Sequence, residues 1–350
     1  MEIGVGLDGT LGLSFAEEAQ VSQEAARLGY SSIWTPEGTG YDSFQVCAHR
    51  WAATREVVPE GLTTGISVSP VAMRTPLSLA MSGGTLSALT GGRFILGIGS
   101  GGIYTPAGRR PFGLPNVSSL DVMRDYLATV RALVAGEEVT HDGPSVKLHG
   151  VRLDISPPPR TPVYLGALGP KMLHLAGELA DGAALNWCTP EQITWSRERI
   201  SEGAKSTGRD PSQVKVAEYI RVCVDDDLEA ARRAFARMTM AYALGPPSAT
   251  ARGRALGYRA HFERMGFVEV LSKLDEMREG GASSDEMADA FPEELLRRVG
   301  YYGPADGAAE AFRRLSQGLD ITIVRVVAAR PGVGSTLATI SACRPELFGR

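Results

Sequence analysis

Gly91-Gly92-Arg93-Phe94-Ile95-Leu96-Gly97-Ile98-Gly99-Ser100-Gly101-Gly102 is the stretch whose residue types speak most directly to chemistry. A short apolar strand runs into a loop with almost no side chains. Glycine takes positive φ without steric cost and lets another molecule lie against bare backbone. Successive N–H groups in such a loop converge on an anion or on the edge of a flat ring. Two other β-branched runs end in a similar way, at Ser67-Val68-Ser69-Pro70 and at Tyr164-Leu165-Gly166-Ala167-Leu168-Gly169-Pro170-Lys171. Three strands that deliver Gly, Ser and Pro at one end imply a cofactor site.

Gly97 to Gly102 also satisfies G-x-G-x-x-G after a strand, the dinucleotide fingerprint. That reading requires a helix to begin at once, so that its N-terminus holds the pyrophosphate. Here Pro106, Pro111 and Pro115, with Gly108 and Gly113 between them, favour a long loop instead. A tight strand exit with no ligand is the plainer alternative.

Three other features bear on chemistry. Glu37, in Trp34-Thr35-Pro36-Glu37-Gly38, stands just past a strand beside Tyr41 and Asp42. There it could anchor a ring hydroxyl or N–H, move a proton if burial raises its pKa, or be an ordinary salt-bridged loop acid. Gly169-Pro170-Lys171 opens a helix directly after a strand. The free N–H groups and the positive dipole end suit a phosphate, which Lys171 would reinforce, although Pro at the first helical position is also a common plain turn. Arg221 and Arg325 lie inside apolar strands. Each should be paired internally, with a carboxylate such as Glu218, or else face the mouth and bind an anion.

Other chemistries find no support. The five histidines show neither H-E-x-x-H nor a metal-ligand spacing, and no G-x-S-x-G elbow occurs. Aromatic residues make up 7% of the chain and the net charge is −4, which gives no basic surface for nucleic acid or anionic membrane. The absence of a signal-like segment and of long apolar runs points to the cytoplasm. Cys47, Cys188, Cys223 and Cys343 are far apart, as expected of free buried thiols.

Strand and helix patterns alternate along the 350 residues. Strands are expected at Ile3 to Leu7, Ser32 to Trp34, Leu62 to Val68 and Phe94 to Ile98. Four more follow at Pro162 to Leu165, Gly182 to Leu185, Val214 to Val224 and Ile321 to Val327. Helices fall between them: Ser14 to Leu28 with a Ser14/Glu17 capping box, Gln45 to Arg55, Pro76 to Leu89, and Ser118 to Ala135 with Leu120, Met123, Leu127 and Val130 on one face. Pro170 to Ala180, Pro190 to about Ser206, and a helix from Leu228 complete the series. This order favours a single-domain (β/α)8 TIM barrel over an open doubly wound sheet. Insertions are expected at about 103–117, at 137–160 as a hairpin, and at 240–300 as a mostly helical segment. Gly245-Pro246-Pro247-Ser248 is the best hinge candidate.

Taken in order, Trp34 to Glu37, Gly65 to Pro70, Arg74-Thr75-Pro76, Gly91 to Gly101, Val163 to Ala167 and Gly169 to Gly182 resemble the bacterial luciferase-like monooxygenase superfamily. Within it, the chain is most similar to the branch that uses the deazaflavin coenzyme F420. The resemblance covers nearly all of the chain to about residue 225 and returns at the last strand. It implies a (β/α)8 barrel, commonly a homodimer, holding a flavin or deazaflavin at the C-terminal mouth. It implies that Ser67 and Val68 form a strand bulge behind the ring, often with a non-proline cis peptide. Gly99, Ser100 and Gly101 would lie against the cofactor, Gly169, Pro170 and Lys171 would bind its phosphate with Met172 also at the cofactor, and Glu37 would contact the ring and be the best remaining proton donor.

Deazaflavin sugar-phosphate dehydrogenases carry a His where this chain has Gly38, and a Glu where it has Gly102. Their substrate is therefore not expected here. The reading is an oxidoreductase passing a hydride between F420 and a small organic substrate with a C=C, C=N or C=O group. An FMN-dependent monooxygenase on the same scaffold and a non-catalytic cofactor-binding protein are the alternatives.

Overall fold

The computed structural model describes residues 2–103, 105–114, 116–245 and 254–348. Tyr104 and Pro115 of the expected loop, and Pro246 to Ser248 of the expected hinge, lie outside the described residues. The strands are β1 (Glu2–Gly6), β2 (Ser32–Thr35), β3 (Thr63–Pro70), β4 (Phe94–Gly99), β5 (Val139–Asp142), β6 (Lys147–Val151), β7 (Val163–Gly166), β8 (Gly182–Asn186), β9 (Lys215–Val224), β10 (Gly300–Gly303) and β11 (Ile321–Val326). β1, β2, β3, β4, β7, β8, β9 and β11 are parallel and alternate with helices, the α/β class of a (β/α)8 barrel.

The chain divides into two compact units. One comprises Ser31–Leu185 and Ser196–Ala217. It carries parallel β2, β3, β4, β7 and β8 in that order, and the antiparallel β5–β6 hairpin expected within 137–160. Its helices are α2 (Ser43–Thr54), α3 (Pro76–Leu89), the short α4 (Pro106–Arg109), α5 (Ser119–Val134), α6 (Pro170–Leu179) and most of α7 (Pro190–Ser206). Met123, Leu127 and Val130 of α5 are fully buried while Leu120 is only half-buried; burying each such side chain contributes about 1.5–3 kcal/mol. The stretch after Gly102 is not wholly a loop, since α4 and a 3-10 turn at Arg110–Phe112 occupy it. Gly108 lets α4 pack against the Gly102 backbone, because a Cβ there would lie 2.1 Å from the Gly102 carbonyl oxygen.

The other unit comprises Met1–Tyr30, Asn186–Trp195 and Glu218–Arg350. Its first helix, Phe15–Arg27, has the expected capping box: Ser14 Oγ accepts from the Glu17 amide while Glu17 accepts from the Ser14 amide. Parallel β1 and β11 pair from Glu2↔Ile321 to Gly6↔Arg325. After the helix Leu228–Ala243, the described part of the 240–300 segment is helical at Tyr258–Arg264, Val268–Glu279, Ser284–Ala290 and Glu293–Val299. Phe235, Phe262, Phe267 and Phe291 bury their rings together in its core. Strand β10, parallel to β9, and the helix Val333–Ala342 were not expected from sequence. All four cysteines are buried and free.

Candidate functional site

β2, β3, β4 and β7 bring most of the candidate residues to the C-terminal ends of neighbouring strands. The β3–β4 ladder shifts register between Ile66 and Ser69, at the Ser67-Val68 bulge, where the peptide bond is cis. The Val68 side chain then occupies space that three glycines leave open. A Cβ on Gly99 would stand 2.4 Å from Val68 Cγ2, and one on Gly97 or Gly166 would stand 3.2 Å from a Val68 methyl. Gly97 is also confined by the Ile66 carbonyl oxygen, 2.1 Å from its would-be Cβ.

Beyond β4, Ser100 is half-buried and Gly101 exposed. Gly101 and Gly102 take φ of +52° and +88°, left-handed values suited to glycine. Packed against Pro70, Gly101 has no room for a Cβ, whereas Gly102 meets nothing within 4 Å. Bare backbone is thus presented at this rim, as expected.

Glu37, two residues past β2, is not a free acid. Its side chain is 3% exposed. Ser69 donates its hydroxyl to Oε2, which also accepts from Arg74 Nε at 3.2 Å, while Oε1 accepts from Arg74 Nη2 at 2.5 Å. Arg74 Nη2 also reaches Asp42 Oδ2 at 2.6 Å, and its guanidinium covers the Phe44 ring at 4.7 Å. Burial opposes ionisation of Asp42, but hydrogen bonds from Arg74 and from the Gln45 and Phe44 amides outweigh it and hold the carboxyl below its usual range. The Glu37 and Asp42 partners raise the Arg74 pKa. From α5, the Tyr126 hydroxyl donates to the Arg74 carbonyl at 3.0 Å. Sequence reasoning missed the bridging role of Arg74; two acids five residues apart with one arginine downstream were the available signal.

Gly169 to Met172 start α6, three residues beyond β7. Pro170 is at the first helical position, and no side chain caps the end. Lys171 is exposed and Met172 half-buried. Gly169 has φ −90° and open space around its would-be Cβ, so it is not required for positive φ or for packing within the chain. The helix is held from behind. A Cβ on Gly177 would lie 2.0 Å from the Ile200 carbonyl oxygen, and one on Gly203 would lie 1.9 Å from that of His174, so α6 and α7 cross backbone to backbone. Glu178 adds an ion pair to Arg124 of α5 at 2.5 Å.

In the other unit, Arg325 pairs with a carboxylate, that of Asp8, as expected. Arg221 does not pair with Glu218. It donates to Asn186 Oδ1 at 2.6 Å and stacks on the Trp187 ring, 3.7 Å from its centroid. Trp187 takes φ +58°, unusual for a bulky residue, and is fully buried. Glu218 Oε1 instead accepts from the Cys188 amide at 2.5 Å, and Oε2 has no hydrogen-bond partner among the described residues. The reason is strand parity: residues 218 and 221 are three apart in β9 and point to opposite faces. Asn186, Trp187 and Tyr258 carried no sequence signal for this cluster.

Eight alternating strands and helices with a side-chain-poor rim define a scaffold of the (β/α)8 barrel kind, a fold whose active sites sit at the C-terminal strand ends. The chain belongs to the luciferase-like monooxygenase family, whose model matches residues 2–320, and is a luciferase-like oxidoreductase. It is 30% identical over 315 residues to a 5,10-methylenetetrahydromethanopterin reductase of Methanolobus tindarius, covering 89% of this chain and 90% of the relative. It is 29% identical over 331 residues to a putative coenzyme F420-dependent oxidoreductase of Mycobacterium tuberculosis, covering 87% and 90%. The fold matches the solved coenzyme F420-dependent tetrahydromethanopterin reductase of Methanopyrus kandleri with a TM-score of 0.78, at 21% identity and over 100% and 99% of the two chains. No described helix is long and apolar enough to cross a membrane.

Proposed function

We propose that this protein binds coenzyme F420 and passes a hydride between it and a small organic substrate bearing a C=C, C=N or C=O group. The observation that carries the reading is the glycine-walled seat of Val68, continued by the bare backbone of Ser100 to Gly102. Such a surface admits a flat ring where side chains would exclude it. F420 supplies a two-electron hydride carrier when bound; the protein supplies orientation.

The residues fit that group in distinct ways. Val68, seated against Gly99, presents a branched apolar side chain as backing, and Ser100, Gly101 and Gly102 offer backbone amides, with open space at Gly102. The open first turn of α6, with Lys171 and the Met172 amide, suits the phosphate. Glu37 accepts three hydrogen bonds from Ser69 and Arg74 and so holds the β3–α3 segment in place. In that bonded state it serves as an acceptor and anchor, and the proton donor role expected from sequence would require Arg74 to release it. The F420 reading is supported by the Mycobacterium tuberculosis relative and the Methanopyrus kandleri structure, both described as F420-dependent, while other fold matches are described with FMN. A homodimer is part of the proposal.

Titration of the purified protein into F420 should quench or shift the deazaflavin fluorescence. Tight FMN binding without F420 binding would overturn the reading in favour of a flavin monooxygenase. Binding of F420 with no hydride transfer across alkene, imine and carbonyl substrates would leave a cofactor-binding protein.

A further inference from the structure

The unit built on β1, β9 and β11 buries more positive charge than it neutralises. Arg221 and Arg325 are 2% and 5% exposed, near the C-terminal ends of β9 and β11. They lie close enough that each guanidinium acts electrostatically on the other or on a shared neighbour, Asp8. Asp8 pairs with Arg325 through Nη2. Arg325 Nη1 is buried and has no hydrogen-bond partner among the described residues. Among the described residues Arg221 meets only neutral oxygens, the Asn186 amide at 2.6 Å and the Tyr219 carbonyl at 3.5 Å from Nη1 and the Tyr242 hydroxyl, with the Trp187 and Tyr242 rings beside it.

No second carboxylate compensates. Among the described residues Arg221 makes no ion pair, and none of the residues outside them is Asp or Glu. Glu218 is engaged with the Cys188 amide on the opposite face of β9, and burial pushes its carboxyl up to about 8, against ionisation. A buried cation without a counter-charge is costly, and the cost is recovered when a ligand brings the anion. The walls say what carries that anion. Arg221 lies between the Trp187 ring and Tyr242, whose ring packs edge-on to Tyr258 at 4.8 Å. Asn186, Tyr242 and Tyr258 are half-buried, so the cluster meets solvent on that side.

We propose that Arg221 and Arg325 form a subsite for one carboxylate, carried by a flat, unsaturated organic acid that lies against these rings. Calling that acid the substrate rests on the oxidoreductase reading; the subsite itself rests on the charge count. The planar guanidinium matches a carboxylate through paired N–H donors, and Asn186 is the group the ligand would displace.

The test is calorimetric titration of the full chain with benzoate and with benzamide, its neutral counterpart. Benzoate should bind and benzamide should not. Arg221→Met should weaken benzoate by at least about tenfold. Should that variant fail to fold, Asn186→Asp answers the same question. It places an internal carboxylate at the Arg221 guanidinium, and should abolish benzoate binding while raising the unfolding midpoint. Equal binding of benzoate and benzamide, or undiminished benzoate binding by either folded variant, overturns the proposal. F420 fluorescence titration on the same samples separates the two ideas. Benzoate binding without F420 binding leaves the subsite standing and removes the oxidoreductase reading, and the reverse pattern does the opposite.

Discussion

Val68 fills the space that a side chain on Gly99 would need: a Cβ there would stand 2.4 Å from Val68 Cγ2. The two residues lie on neighbouring strands, one at a bulge and one at a strand end, and each fixes what the other can be. Valine is stiff about χ1 and cannot swing its methyl far aside.

Gly99→Ala should therefore destabilise the fold by about 1–3 kcal/mol through overpacking. It should also weaken F420, because the displaced valine intrudes on the backing surface. Adding Val68→Ala should restore much of the stability. Urea unfolding of the two single variants and the double variant gives the coupling; simple additivity would mean that the two positions do not compete for space.

Arg74→Met leaves the Glu37 side chain, 3% exposed, with only Ser69 as donor. Breaking such a pair from one side should cost roughly 3 kcal/mol. Glu37→Gln should cost less, since the amide still accepts through its oxygen. If Glu37 acts as an anchor, Glu37→Gln should lower F420 affinity and turnover together. A fall in turnover alone would identify it as a proton donor.

Lys171→Ala should reduce F420 affinity about tenfold to a hundredfold, the worth of one hydrogen bond to a charged group. The loss should shrink at high salt, because Lys171 is exposed. Gly169→Ala, at φ −90° with nothing near its would-be Cβ, should leave stability unchanged. A fall in F420 affinity for that variant would show that the phosphate closes on the Gly169 backbone.

Two buried groups set opposite limbs of the stability profile. Burial raises Glu218 to about 8, against partial relief from the Cys188 amide and Arg221. Its contribution is full below its unfolded value near 4.5 and is lost as the pH rises towards 8. Burial lowers His261 to about 4, opposed by its hydrogen bond to the Trp187 carbonyl. Its contribution is full above 6.5 and is lost as the pH falls towards 4. Glu218→Gln should flatten the alkaline limb, a gain on the order of a few kcal/mol at pH 8. Urea midpoints across the pH range would show it; an unchanged alkaline limb would mean that Glu218 is ionised throughout.

The strand and helix order was legible because the local signals agreed with one another. Ser14 and Glu17 form the box their spacing announces, and α3 runs Pro76–Leu89 as its proline and its terminating Thr90-Gly91 suggest. β10 was not legible, because Gly300-Tyr301-Tyr302-Gly303 is too short to show a period and its glycines read as a turn. It is held by tertiary context: a Cβ on Gly300 would strike the Phe235 ring at 2.3 Å. The glycine-rich rim could be read from composition, whereas the Glu37–Arg74–Asp42 bridge depends on a loop path that no periodicity encodes. Arg221 was correctly marked as unusual, but strand parity already told against Glu218 as its partner.

The crossing of α6 and α7 at Gly177 and Gly203 divides the tasks of one helix between its ends. The rear of α6 is committed, since any side chain at either glycine must push two backbones apart. Its front, from Gly169 to Met172, touches little and is open to exchange. In the proposed phosphate role of this turn, anion preference can therefore drift, or be redesigned, by changing the leading residues alone, while the interlocked glycines keep the helix axis aimed at the same point.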